Sequence, residues 1–113
     1  MPSKLGKDFD RVLTWLRRDI GLKFKVRVVS NLVCDGEPCH GSFVKWVGER
    51  IPYIYLDAGL HYDEAVYTLL EEAAHLIDIK KNGYLKDADE QHTGNWGYEY
   101  ADLRRRYARW LRG

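Results

Sequence analysis

Apolar positions recur along this chain with two different periods, and each change of period marks the edge of an element. In "DFDRVLTWLRRDI", residues 8–20, Phe9, Val12, Leu13, Leu16 and Ile20 follow the spacing of a helix buried on one side, with Asp8 as the candidate N-cap. Gly21 stops that helix. "KFKVRVVSNLV" then interleaves charges with β-branched residues and predicts a strand, and "SFVKWV" and "YIYLD" predict two more. "CDGEPCHG" and "GERIP" between them are turn sequences. The spacing of the three runs predicts an antiparallel sheet.

The helical period returns from about Asp63 to Lys81 and is closed by Asn82-Gly83. Residues 84–94 are polar and irregular. A last helix is predicted from Asn95, a candidate N-cap, to Leu111, with Trp96, Tyr100, Leu103, Tyr107 and Trp110 on one face, and this aromatic face is expected to be core. The order helix, three strands, helix, helix is that of an α+β domain.

Composition adds bounds. With 113 residues, the chain is one domain, 1–113, able to bury roughly two thirds of its unfolded surface. Apolar residues at 45% and charged residues at 31% exclude a disordered chain. No run approaches the ~18 apolar residues of a membrane span, and "MPSKLGKDFDRVL" has no signal-peptide core, so a cytoplasmic protein with no membrane partner is expected. Cys34 and Cys39, with His40, form a Cys-x4-Cys-His cluster near a turn. A metal site there would need a fourth ligand, and a redox pair is the other sharp reading. Two reduced thiols are the expectation in a reducing compartment. His61 is expected to serve the N-terminal turn of the central helix.

Charge is unevenly spread. Residues 1–30 hold eight Lys/Arg against three acids, whereas residues 61–92 hold three against eight. The last 21 residues turn basic again through Arg104, Arg105, Arg106, Arg109 and Arg112. An acidic middle containing histidines suits a cation, and basic ends suit nucleic acid. Both distributions also arise on ordinary solvated helix faces.

The chemistry concentrates in "LLEEAAHLID", residues 69–78. On a helix, Val66, Leu69, Leu70, Ala73 and Ile77 gather on one side, expected to face the sheet. Glu64, Thr68, Glu71, His75 and Asp78 gather opposite. Glu71 and His75, one turn apart, could touch a single ion. Zinc accepts carboxylate oxygen as well as imidazole nitrogen. A Glu-x-x-x-His pair is otherwise a surface pair worth a few tenths of a kcal/mol, about 0.2–0.5. A third donor is present in His92, which precedes the last helix in a polar segment.

Taken together, "LLEEAAHLID" and "HTGNWGYEYADLRRRY" resemble the SprT-like minimal zincins, particularly the short versions found in bacteriophage genomes. There a His-Glu-x-x-His helix is followed by a histidine segment and a helix of the form Tyr-Ala-x-x-x-Arg-x-Tyr. His92, Trp96, Tyr100, Ala101, Arg105 and Tyr107 carry the second likeness. The resemblance implies a zinc-dependent metallopeptidase acting on a peptide or protein substrate in a cytoplasm, that of the host if phage-encoded. It implies a helix, a three-stranded antiparallel sheet, an active-site helix and a C-terminal helix. His75 and His92 would be zinc ligands and Glu72 the catalytic base. Glu71 stands where the family has its first histidine ligand. The alternative is a catalytically inactive zincin-fold module that binds DNA or a host protein through its arginine-rich last helix.

Overall fold

The computed structural model describes residues 6–45, 48–82 and 94–113. Its elements are α1 (Lys7–Arg18), β1 (Lys25–Val29), β2 (Val33–Cys34), β3 (Glu37–Pro38), β4 (Gly41–Val44), β5 (Tyr53–Asp57), α2 (Tyr62–Asn82) and α3 (Gly94–Leu111). The fold is α+β, with three helices, a three-stranded sheet and a two-stranded hairpin among the described residues. No described helix is long and apolar enough to cross a membrane.

The predicted all-antiparallel sheet is corrected by the strand order, which is β1-β5-β4. Successive long strands do reverse direction, β4 running against β5 with Ser42 opposite Tyr55. But β5 inserts between its two predecessors, so β1 and β5, which run the same way, become neighbours. They pair in parallel, Lys25 opposite Tyr53 through Val29 opposite Asp57. "YIYLD" is therefore the central strand. Ile54 and Leu56 point inward and are fully buried, each worth about 1.5–3 kcal/mol of removed apolar surface. Tyr53 and Tyr55 stack on the outer face, and Lys25 and Arg27 lie over the Tyr53 ring.

The predicted strand over residues 23–33 is shorter than expected because Asn31 adopts a left-handed backbone (φ 56°). The chain then enters the β2–β3 hairpin, whose two-residue loop, Asp35-Gly36, has positive φ at both positions. Asp-Gly is the pair that such a tight turn favours. The hairpin sets Cys34 beside Cys39, and the two form a disulfide with Cα atoms 5.8 Å apart, within the range such a bond requires. That overturns the expectation of two reduced thiols. Asp57 locks this region to the end of the sheet: its carboxylate accepts from Leu32 N (2.9 Å) and Gly59 N (3.0 Å). Those two hydrogen bonds hold its pKa below the usual carboxylate value.

The helices carry the rest of the core. α1 begins at Gly6 rather than at an Asp8 cap, so Asp8 and Asp10 sit in its first turn, where they favour the helix dipole. Gly21 (φ 83°) turns the chain out of it. Trp15, outside the predicted apolar set, is buried and packs against Tyr107 and Trp110 of α3. α2 is capped by His61, as expected. Its Nδ1 accepts from Asp63 N, and Glu64 reaches back to His61 N, the reciprocal arrangement of a capping box. α3 starts one residue before Asn95.

α2 packs on β4, β5, α1 and α3 together. Its burial therefore spreads beyond the predicted sheet-facing side to Ala65, Ala74 and Leu76, and reaches Thr68 and Asp78 on the predicted polar side, 8% and 2% exposed. Thr68 is buried because β4 approaches closely at Gly41: a Cβ there would lie 2.5 Å from the Thr68 methyl and 3.2 Å from the Tyr55 carbonyl oxygen. Gly41→Ala is expected to destabilise the fold by about 1–3 kcal/mol through overpacking. Adding Thr68→Ser, which deletes the methyl, should recover part of that loss in urea unfolding. Additive effects of the two substitutions would show that this close approach does not exist.

Candidate functional site

With Thr68 turned to β4, and Tyr67, Ala74 and Lys81 turned to α3, the part of α2 left between them is the stripe of Glu71 and His75. Both residues are half-buried. They lie on the groove, the strip of surface between the start of β4 and the first turns of α3.

α3 meets this stripe rung by rung. The Trp96 ring stacks on His75 with centroids 5.2 Å apart, and its Nε1 donates to the Glu71 carbonyl oxygen at 3.1 Å. Tyr100 stacks on Trp96 in turn (5.2 Å). One turn further on, the Arg104 guanidinium lies over Tyr67 at 5.1 Å and Tyr100 at 5.6 Å. Tyr67, Glu71 and His75 on α2 thus face Arg104, Tyr100 and Trp96 on α3, each set stepping by one helical turn. The last helix's aromatic face was expected to be core. Leu103 and Tyr107 are buried as expected, whereas Trp96 and Tyr100 are half-buried and border the groove. The i, i+4, i+8 spacing on both helices was the available signal for this ladder.

Glu72 occupies the neighbouring position, turned toward the sheet side of the stripe. Burial pushes its carboxyl up to about 7, and the Glu71 charge beside it adds to the shift. The Tyr100 phenol is also raised, first by burial and then by Glu71. Further along, Lys81 Nζ contacts the buried Glu99 carboxylate at 2.8 Å and joins the end of α2 to α3. Its amine is raised by that hydrogen bond.

Glu71, Glu72 and His75 thus lie together on successive turns of α2, Glu71 and His75 on the stripe and Glu72 beside it. The third expected ligand, His92, lies outside the described residues. Among the described residues, no three His, Cys, Asp or Glu side chains converge as a metal-binding group. His61 is engaged in its cap, and Cys34 and Cys39 in their disulfide. Of the arginines expected to meet DNA, Arg105 and Arg106 both pair with Asp102, at 3.4 and 3.2 Å. Arg109 and Arg112 are exposed at the far end of α3. No protein-family model matches the chain, and no curated protein or solved structure shows a significant similarity to it.

The Glu72 carboxyl gives a pH prediction for metal-free protein. Its folded pKa is raised, so the native state holds the proton more tightly than the unfolded chain. Its contribution is full below pH 4.5 and is lost as pH rises to about 7, a swing of up to about 3 kcal/mol. Urea unfolding in the presence of a chelator should show wild type losing stability across that window relative to Glu72→Gln, which keeps a neutral side chain throughout. Parallel curves for the two proteins would rule out a buried Glu72 carboxyl.

Proposed function

We propose that the protein is a zinc-dependent peptidase of the SprT-like, minimal zincin type. What carries the proposal is the placement of Glu71 and His75 side by side in the groove, with Trp96 stacked on the His75 ring and hydrogen-bonded to the Glu71 carbonyl oxygen. The donor set suits the ion: one carboxylate and one imidazole, a helical turn apart, are ligands zinc accepts, and His92 would be the third. When bound, zinc polarises a peptide carbonyl and makes a water easier to deprotonate.

The chain's own residues would do the remainder. Trp96 restrains the His75 ring, so a donor nitrogen is held in place before any ion arrives. Glu72, next to the stripe and partly buried, takes the proton of the attacking water and returns it to the leaving amine. Among the described residues, β4 has a strand partner on one side alone, β5. A substrate in extended form would add to its open edge and lie across Glu71 and His75. Glu71 brings a negative charge that a histidine ligand would not. That charge makes the water less acidic and predicts a peptidase slower at neutral pH than an all-histidine site.

The test is zinc content after loading and desalting, followed by hydrolysis of an unstructured protein substrate. About one zinc per chain is expected, retained in Glu72→Gln and lost in Glu71→Ala, His75→Ala and His92→Ala. Glu72→Gln should lower turnover by about 10²–10⁴-fold, and Glu71→His should raise it. Failure of the wild type to retain zinc, or retention by the His75→Ala protein, would sink the proposal.

A further inference from the structure

Beyond Glu71, away from His75, the ladder between α2 and α3 ends in a shallow depression of about 420 Å³ lined by Tyr67, Arg104, Arg105, Tyr107 and Leu111. We propose that this depression is a carboxylate-binding subsite, that Arg104 is its recognition group, and that it receives an acidic group of a peptide ligand.

Arg104 is set apart from the arginines around it. Arg105 and Arg106 share the Asp102 carboxylate, whereas Arg104 makes no ion pair among the described residues. Its guanidinium instead lies over the Tyr67 and Tyr100 rings. Two aromatic faces restrict a long side chain that would otherwise sample many rotamers, and they leave the planar edge of the guanidinium, with its N–H donors, uncommitted. A carboxylate fits that edge with two parallel hydrogen bonds. Tyr67 and Leu111, 42% and 59% exposed, add apolar surface that could cover the aliphatic part of the same ligand residue. Glu71 and Asp63 are nearby negative charges on α2, each one turn from Tyr67, and Asp63 acts on the Tyr107 phenol that lines the depression. The depression therefore favours anions at its Arg104 end and not along the whole groove.

The position also sets the spacing. Tyr67 is one helical turn from Glu71 and two from His75, about 6 and 12 Å along α2. An extended peptide covers about 3.3 Å per residue, so the acidic group would stand roughly two to four residues from the groove's centre. This spacing rests on the peptidase proposal, which puts the scissile bond at Glu71 and His75. The anion subsite itself does not.

The test is direct binding to full-length protein kept metal-free with a chelator, so that no hydrolysis occurs. Four hexapeptides of one sequence would be titrated, with Glu or Gln at the third position and a free or amidated C-terminus. Binding would be read from ¹⁵N chemical-shift changes. A side-chain carboxylate source predicts that both Glu peptides bind about tenfold tighter than their Gln partners. A terminal source predicts the same margin for the free acids over the amides. In either case Arg104→Gln should abolish the margin and Arg104→Lys should leave part of it. Arg106→Gln, which removes an equal charge elsewhere on α3, should leave it intact. Equal affinities for all four peptides, including no binding by any, would overturn the subsite. So would a margin that survives Arg104→Gln or disappears equally in Arg106→Gln. Because zinc is absent throughout, failure here leaves the peptidase proposal standing, and loss of zinc binding leaves this one.

Discussion

Twenty-one residues of α2 are packed by β4 and β5, by α1 and by α3. A helix enclosed in this way has almost no free surface on which to carry polar side chains. Between its two charged ends, those that remain gather on a narrow stripe, and the stripe's width is set by how closely its neighbours approach. Gly41 lets β4 come against Thr68 on one flank, and Trp96 and Tyr100 close the other. Had β4 stood further off, Glu71 and His75 would belong to an ordinary wet face, with the small energies of such pairs. Enclosure is what makes their placement reproducible from molecule to molecule.

The same enclosure has an electrostatic cost. Two adjacent glutamates on a helix packed this tightly cannot both ionise cheaply, and Glu72 carries the penalty. Natural cores relieve such a cost with a hydrogen bond, a counter-charge or a bound cation. The contacts of α2 supply a counter-charge further along, where Lys81 meets Glu99. Arg104, at the other end of the ladder, is directed at aromatic rings. The positive charge on α3 is thus divided among separate tasks: Asp102 holds two arginines, the rings hold a third, and the remainder face water.

Much of this was legible in the sequence, for physical reasons. Helices were read within one or two residues at most ends because their apolar period is long and their termini carry capping and glycine signals. The His61 cap belongs to that class. The Asp35-Gly36 turn was marked by residue types that tolerate positive φ. Strand order was not legible. Alternation of direction along the chain says nothing about whether β5 lies outside or between its predecessors, and only the latter puts β1 and β5 in parallel. Nor was the pairing of Cys34 with Cys39, which depends on the hairpin that the turn builds. In the site, the Glu71 and His75 stripe followed from helical geometry. Its aromatic wall did not, because a tryptophan on an apolar face carries the same sequence signature whether it is core or rim.

The insertion of β5 also orders the events of folding. β4 and β5 are near in sequence and oppose each other across a short connection, and α2 follows at once, so these three can assemble from local encounters. β1 has no partner in the large sheet until Tyr53 to Asp57 have been brought back to it. Its docking must close a loop containing the β2–β3 hairpin and all of β4, a step that loses chain entropy before any ladder bond repays it. The edge formed by β1 is thus the last part of the sheet to zip. It is also the first that thermal opening would release. Among the described residues β1 and β4 each pair with β5 alone, but β4 is also packed by α2, and the less covered edge sits at the low-stability end of a fold. The groove, assembled from α2, β4 and α3, lies on the other side of β5 from that seam. Fraying of β1 can therefore proceed as a local excursion, a slow breathing of the far edge, while the polar stripe keeps its shape.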